Sequence, residues 1–106
     1  GENVEIGTNV TIGSKIKHGP APVIGNRVYI ATGAKILGGI TIGSNVVIGA
    51  NAVVLINVPD YCVVAGVPAK IVKTIPEEEI DYYFGGYGFL SRILRLAVRF
   101  SARHLT

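Results

Sequence analysis

The sequence predicts an all-β solenoid of six-residue repeats followed by an α-helical tail. Three observations predict it. Seven isoleucines fall on one six-residue grid, at Ile6, Ile12, Ile24, Ile30, Ile36, Ile42 and Ile48. Apolar residues two apart, such as Val10 and Ile12, Val28 and Ile30, or Val46 and Ile48, point to one face of an extended segment. Gly follows the grid position at Gly7, Gly13, Gly19, Gly25, Gly43 and Gly49, and Asn or Gly comes three after it at Asn9, Gly33, Gly39, Asn45, Asn51 and Asn57. Such residues tolerate the positive φ that a tight corner needs. A helix needs a period near 3.6, which a spacing of six does not supply.

Short strand and corner therefore alternate, and three units close one winding of a triangular coil. Residues 18 apart are then expected to stack: Ile12 with Ile30 and Ile48, Ile6 with Ile24 and Ile42, and His18 with Ile36 and Val54. These columns form the expected interior, and residues 4–58 make about three windings, ~14 Å tall at one strand spacing each. Each winding pairs its backbone with its neighbours. So short a stack buries little core, so oligomerisation is expected. The absence of Met and the glycine at position 1 lead us to expect a trimmed piece of a longer chain, with further windings before residue 1.

Composition narrows the function classes. Apolar residues make up 49% of the 106 residues and charged residues 16%, which argues for one folded domain. No secretory leader is expected from "GENVEIGTNV", and no apolar run approaches the roughly 20 residues of a membrane span. The lone Cys62 rules out an internal disulfide and fits a reducing, cytoplasmic compartment. It falls in the loop expected before "VVAGVPA", where a single thiol reads as filler. The net charge of +3 lacks the dense basic face with interleaved aromatics of a nucleic-acid binder, so no nucleic-acid partner is expected.

The stretch "VIGNRVYIATGAKILGGITIGSNVVIGANAVVLINVPDYCVVAGVPAKIVK" (23–73) resembles the C-terminal half of the hexapeptide-repeat acyltransferases. It is most similar to the serine acetyltransferase-like branch, which includes the O-acetyltransferases of polysaccharide synthesis. The resemblance covers residues 4–75, and "VVAGVPAKIV" is its most diagnostic part. It implies a left-handed parallel β-helix over residues 1–75, a homotrimer, and acetyl-CoA bound as co-substrate between subunits. Carried over by position, it implies CoA contacts at Ala31, Thr32 and Gly33, at Gly49 and Ala50, and at Lys70 and Lys73 near the nucleotide phosphates. Small corner residues would let the pantetheine lie close to backbone, although corners need small residues in any case. Lysines suit phosphate as point charges. Where relatives commonly read Thr-Lys, this chain reads Leu55-Ile56, so that phosphate contact is expected to be absent.

His18 breaks the isoleucine grid. Acyl transfer to a hydroxyl needs a base with a pKa near the working pH, and imidazole qualifies. The resemblance implies such a histidine beside the cleft between subunits. In one reading "KHGPAP" opens into a short loop stiffened by Pro20 and Pro22, with His18 the catalytic base. In the other, His18 is an inert loop residue and the base lies upstream of residue 1. No Asp or Glu lies close in sequence to orient the ring, and Glu5 would have to reach it from elsewhere.

A helical extension is expected over 76–106, with Thr74 as a capping hydroxyl, Pro76 in the first turn and Glu77, Glu78 and Glu79 at its positive end. "GGYG" (85–88) breaks it. Tyr82, Tyr83 and Tyr87 are expected to cover apolar surface. Arg92, Arg95, Arg99 and Arg103 then form one stripe on a helix over 89–104, which fits either packing on the coil or peripheral contact with an anionic membrane. The function expected from the resemblance is acetyl transfer from acetyl-CoA to a hydroxyl of serine or a sugar, both small-molecule acceptors. A non-catalytic trimeric scaffold is the alternative. A zinc carbonic-anhydrase-like enzyme needs three histidine ligands, and the repeats hold one, so no metal is expected.

Overall fold

The structure, a computed structural model, describes residues 1–84. Eight short strands come first: β1 Val4–Ile6, β2 Thr11–Gly13, β3 Val23–Ile24, β4 Val28–Ile30, β5 Lys35–Leu37, β6 Thr41–Ile42, β7 Val46–Ile48 and β8 Val53–Val54. Successive strands are dealt in rotation to three parallel stacks, β1-β4-β7, β2-β5-β8 and β3-β6. None pairs with its neighbour in sequence, because each grid unit ends at a corner.

Register shows where the expected columns need correction. From β3 to β8 partners lie 18 apart, as Val23 and Thr41, Val28 and Val46, and Lys35 and Val53 show, and the last pairings tighten to 16, as Ile42 with Val58 and Val47 with Val63 show. Across the first winding they lie 24 apart, as Val4 and Val28 or Thr11 and Lys35 show. The observed columns are therefore Ile6–Ile30–Ile48 and Ile12–Ile36–Val54, while Ile24 and Ile42 stack on Val58. The expected stacking of Ile12 on Ile30 and of His18 on Ile36 does not occur. The extra unit lies in the loop between β2 and β3, where Pro20 and Pro22 deny the backbone N–H groups a ladder requires.

Ile30, Ile36, Ile42, Ile48 and Val54 are fully buried within these columns. Ile6 (55% exposed) and Ile12 (38%) are not, since among the described residues their strands have partners on one side only. Corners use the expected chemistry at Asn9, Gly33, Asn45 and Asn51, but not at Gly39, Asn57 or the glycines that follow the grid position, none of which has positive φ. Residues entering the β1-β4-β7 stack adopt positive φ at Asn3, Arg27, Asn45 and Tyr61, and those leaving it do so at Asn9, Gly33 and Asn51. Side-chain oxygens then link one winding to the next. Asn26 accepts from the N–H of Glu2 (2.8 Å), Ser44 from that of Asn26 (3.0 Å) and Asp60 from that of Ser44 (2.7 Å).

The winding ends in a hairpin. β9, Cys62–Gly66, joins β7 in parallel, and β10, Ala69–Thr74, returns antiparallel along β9 as the edge of the sheet. Cys62 therefore begins a strand rather than sitting in a loop, and its side chain is in the core. Thr74 ends β10 and caps nothing. The 3-10 turn Glu77–Glu79 starts after Pro76 with no side-chain cap, and α1, Ile80–Phe84, follows. The stripe at 89–104, the break at 85–88 and Tyr87 lie outside the described residues.

This tail creates a second core. Tyr29, Val47 and Val63 point outward from the sheet, alternate to the inner columns, and are covered by Ile75 and Tyr83 with Ile80, Phe84 and Val72 alongside. Strands β4 and β7 are thus buried on both faces.

Candidate active site

Two regions gather the predicted residues. The first is the corner where the chain leaves β4 and β7. Because Ile30 pairs with Ile48 and Ile48 with Val64, the residues that follow stack as well: Ala31 by Gly49 by Ala65, and Thr32 by Ala50. The backbone closes this stack, with Ala31 donating to the Ile48 carbonyl (2.9 Å), Gly49 to that of Val64 (2.8 Å) and Asn51 to that of Thr32 (2.9 Å). Gly33 has φ +78°, and a Cβ there would run into the Asn51 side chain, so glycine is required twice over. Lys70 pairs with Ala65 on β10 and extends the same line, its side chain exposed. The structure thus brings Ala31, Thr32, Gly33, Gly49, Ala50 and Lys70 to one corner.

Accessibility differs among them. Thr32 is exposed, and Gly33 and Ala50 are half-buried, whereas Ala31 and Gly49 are buried. Ala31 belongs to the core under the tail. An extended substrate lying on this corner would meet Thr32, Gly33 and Ala50 directly, with Ala31 and Gly49 as its floor.

Lys73 stands apart. Its Nζ lies 3.0 Å from Glu79 Oε2 and 5.5 Å from the centre of the Tyr83 ring. Hydrogen bonding to Tyr83 and then to Glu79 holds its pKa above the usual lysine value, outweighing burial. It fastens the tail across β10, a role no local pattern announces because Glu79 and Tyr83 come from a separate element.

The second region is the loop between β2 and β3. Ser14 Oγ donates to the Ile16 carbonyl (2.7 Å), and the Gly19 N–H donates to the same oxygen (3.0 Å). That turn carries His18 at φ +61°, in the left-handed region that histidine tolerates better than most residues. His18 is exposed, and among the described residues no carboxylate hydrogen-bonds its ring. Glu5 lies instead on β1, whose charge, after burial, helps push the Tyr29 hydroxyl pKa up.

Leu55 and Ile56 are exposed at 38% and 50%, so the corner that follows β8 carries apolar side chains and no cation. No group of three metal-ligating side chains occurs among the described residues. No helix among them is long and apolar enough to cross a membrane.

Residues 21–55 match the bacterial transferase hexapeptide family (six repeats). Among solved structures the chain is similar to serine acetyltransferase from Brucella abortus strain S19, at 44% identity over 70% of this chain and 31% of that one, with a TM-score of 0.67. It is similar to a galactoside acetyltransferase in complex with coenzyme A, at 35% identity over 81% of this chain and 49% of that one, TM-score 0.65. It is also similar to a hexapeptide-repeat containing acetyltransferase from Vibrio cholerae O1 biovar eltor complexed with acetyl coenzyme A, at 28% identity over 72% of this chain and 48% of that one, TM-score 0.65. No curated protein matches the chain. The chain spans between 31% and 49% of the length of these relatives. The six-residue grid, the rotation of strands among three parallel stacks and these likenesses agree: the chain belongs to the bacterial transferase hexapeptide-repeat family.

Proposed function

We propose that this chain forms the left-handed β-helix of an acetyl-CoA-dependent O-acetyltransferase, cytoplasmic and homotrimeric, that acylates a hydroxyl of serine or a sugar. The observation that carries this reading is the stacked small-residue corner with Lys70 at its end. Thr32, Gly33 and Ala50 offer a pantetheine chain backbone at close range, over Ala31 and Gly49. Lys70 is free to meet phosphate as a point charge. Lys73 reaches phosphate only after leaving Glu79.

His18 takes the acceptor proton in this reading. The acceptor hydroxyl oxygen attacks the thioester carbonyl carbon as a ring nitrogen of His18 removes its proton. The tetrahedral adduct collapses, the carbon–sulfur bond breaks, and the CoA sulfur leaves with a proton returned from His18. Alignment of the two substrates supplies most of the acceleration, with no covalent enzyme intermediate.

A non-catalytic trimeric scaffold is the second reading, favoured by the absence, among the described residues, of a carboxylate hydrogen-bonded to His18. In either case Arg92, Arg95, Arg99 and Arg103 suit packing on the coil or peripheral contact with an anionic membrane. Thermal denaturation with and without CoA tests the proposal. A midpoint that rises with CoA concentration supports it, since a ligand bound only by the native state stabilises by mass action. A midpoint unmoved at millimolar CoA removes the transferase reading and leaves the scaffold.

A further inference from the structure

We propose that Gly38 and Gly39 form a seat that fixes where the His18 ring stands, making them positioning residues; this rests on the reading of His18 as the base. The loop between β2 and β3 lies against the corner that follows β5. A Cβ on Gly38 would meet the Lys15 side chain at 2.9 Å, and one on Gly39 would meet the Pro20 ring at 2.8 Å. Lys15 and Pro20 flank the turn that holds His18, so the loop is seated at both ends. The Gly38 N–H, donating to the Gly13 carbonyl at 2.9 Å, ties the same corner to the strand from which the loop departs.

The corner explains the absence of a side chain at Gly38 but not at Gly39. Gly38 has φ +96° and needs glycine for its backbone. Gly39 has no positive φ, and the corresponding corner one winding on turns with Leu55, Ile56 and Asn57. What Gly39 lacks is occupied by Pro20. An alanine there would push the proline ring outward by several tenths of an ångström and move the loop as a unit, because Pro20 and Pro22 leave it few alternative conformations. Displacements of about 1 Å in a reacting group lower turnover by up to about a hundredfold.

The test is Gly39→Ala, read by NMR of the His18 ring Cε1–H signal, assigned by its loss in His18→Ala, together with steady-state acetyl transfer and thermal denaturation. The expected result is a shifted or broadened His18 signal in a protein whose Tm is kept. With it, kcat falls at least about tenfold at unchanged KM for acetyl-CoA. A wild-type His18 signal in folded Gly39→Ala overturns the proposal. A moved signal with unchanged kcat supports the seat and removes His18 from the chemistry, which separates the two ideas. Pro20→Gly, which takes away the ring and leaves the seat, must also disturb the His18 signal. If it does not, the proposal falls whether or not Gly39→Ala folds.

Discussion

The main-chain N–H of Ser44 donates to Oδ1 of Asp60 at 2.7 Å, joining two windings at a corner where the Tyr61 N–H also donates to the Ser44 carbonyl at 2.9 Å. Asp60 is the last rung of a line that runs through Ser44 and Asn26 to Glu2. Asp60→Ala removes the acceptor and is expected to cost about 1 kcal/mol, the scale of a lost cap at a partly solvated N–H. Asp60→Asn keeps an acceptor and should recover most of it. Chemical denaturation of the three proteins checks the order.

Arg27 occupies a left-handed corner position whose stacked neighbours are Asn3 and Asn45. Asparagine tolerates that conformation better than arginine. Arg27→Asn is therefore expected to stabilise the protein by about 0.5–1 kcal/mol, read as a raised Tm.

Cys62 is buried, and burial, followed by the Asp60 charge, pushes its thiol pKa up. A raised native pKa means that its contribution to stability is whole below the ordinary thiol value of about 8.5 and is lost as pH rises through the native one. Alkylation of native protein at pH 8 should be far slower than that of the unfolded chain. Stability should begin to fall above about pH 8.5, and Cys62→Ser should shift that onset upward. Iodoacetamide kinetics and pH-dependent melting check the two parts.

Lys73 has its pKa raised, so the clasp it forms with Tyr83 and Glu79 is complete below about pH 10.4 and weakens as pH climbs through the native value. Its side chain is 36% exposed, so Lys73→Met should cost less than about 1 kcal/mol in global stability. The local effect is larger in kind. Amide exchange along residues 75–84 should quicken while that of β7 is unchanged.

His18→Ala is expected to abolish acetyl transfer, a loss of at least about a hundredfold, with CoA affinity kept. Unchanged turnover would move the proton transfer to another residue.

The inner columns were legible because the grid isoleucines can be satisfied only by facing a shared interior. The first winding was misread because a six-residue insert keeps the grid in phase: Ile12 and Ile24 remain 12 apart whether or not a strand lies between them. Pro20 and Pro22 were the signal that no strand does. The second core was missed although β4 and β7 read Val-Tyr-Ile and Val-Val-Ile. Three consecutive apolar residues in a strand mean burial on both faces, and attention to the grid alone hid them. The hairpin of β9 and β10 lies beyond the last repeat, where the period gives no guidance. At the candidate site the small corner residues come from the family resemblance, and the register brings them together. The engagement of Lys73 was not, because its partners lie across a fold-level contact.

Burial of β4 and β7 on both faces has a consequence for how the molecule comes apart. The amides of Tyr29 and Val47 are sheltered by the columns on one side and the tail on the other, while Ile6 and Ile12 look into solvent. Solvent hydrogen should therefore reach these two amides last, since both covers must lift before either one opens.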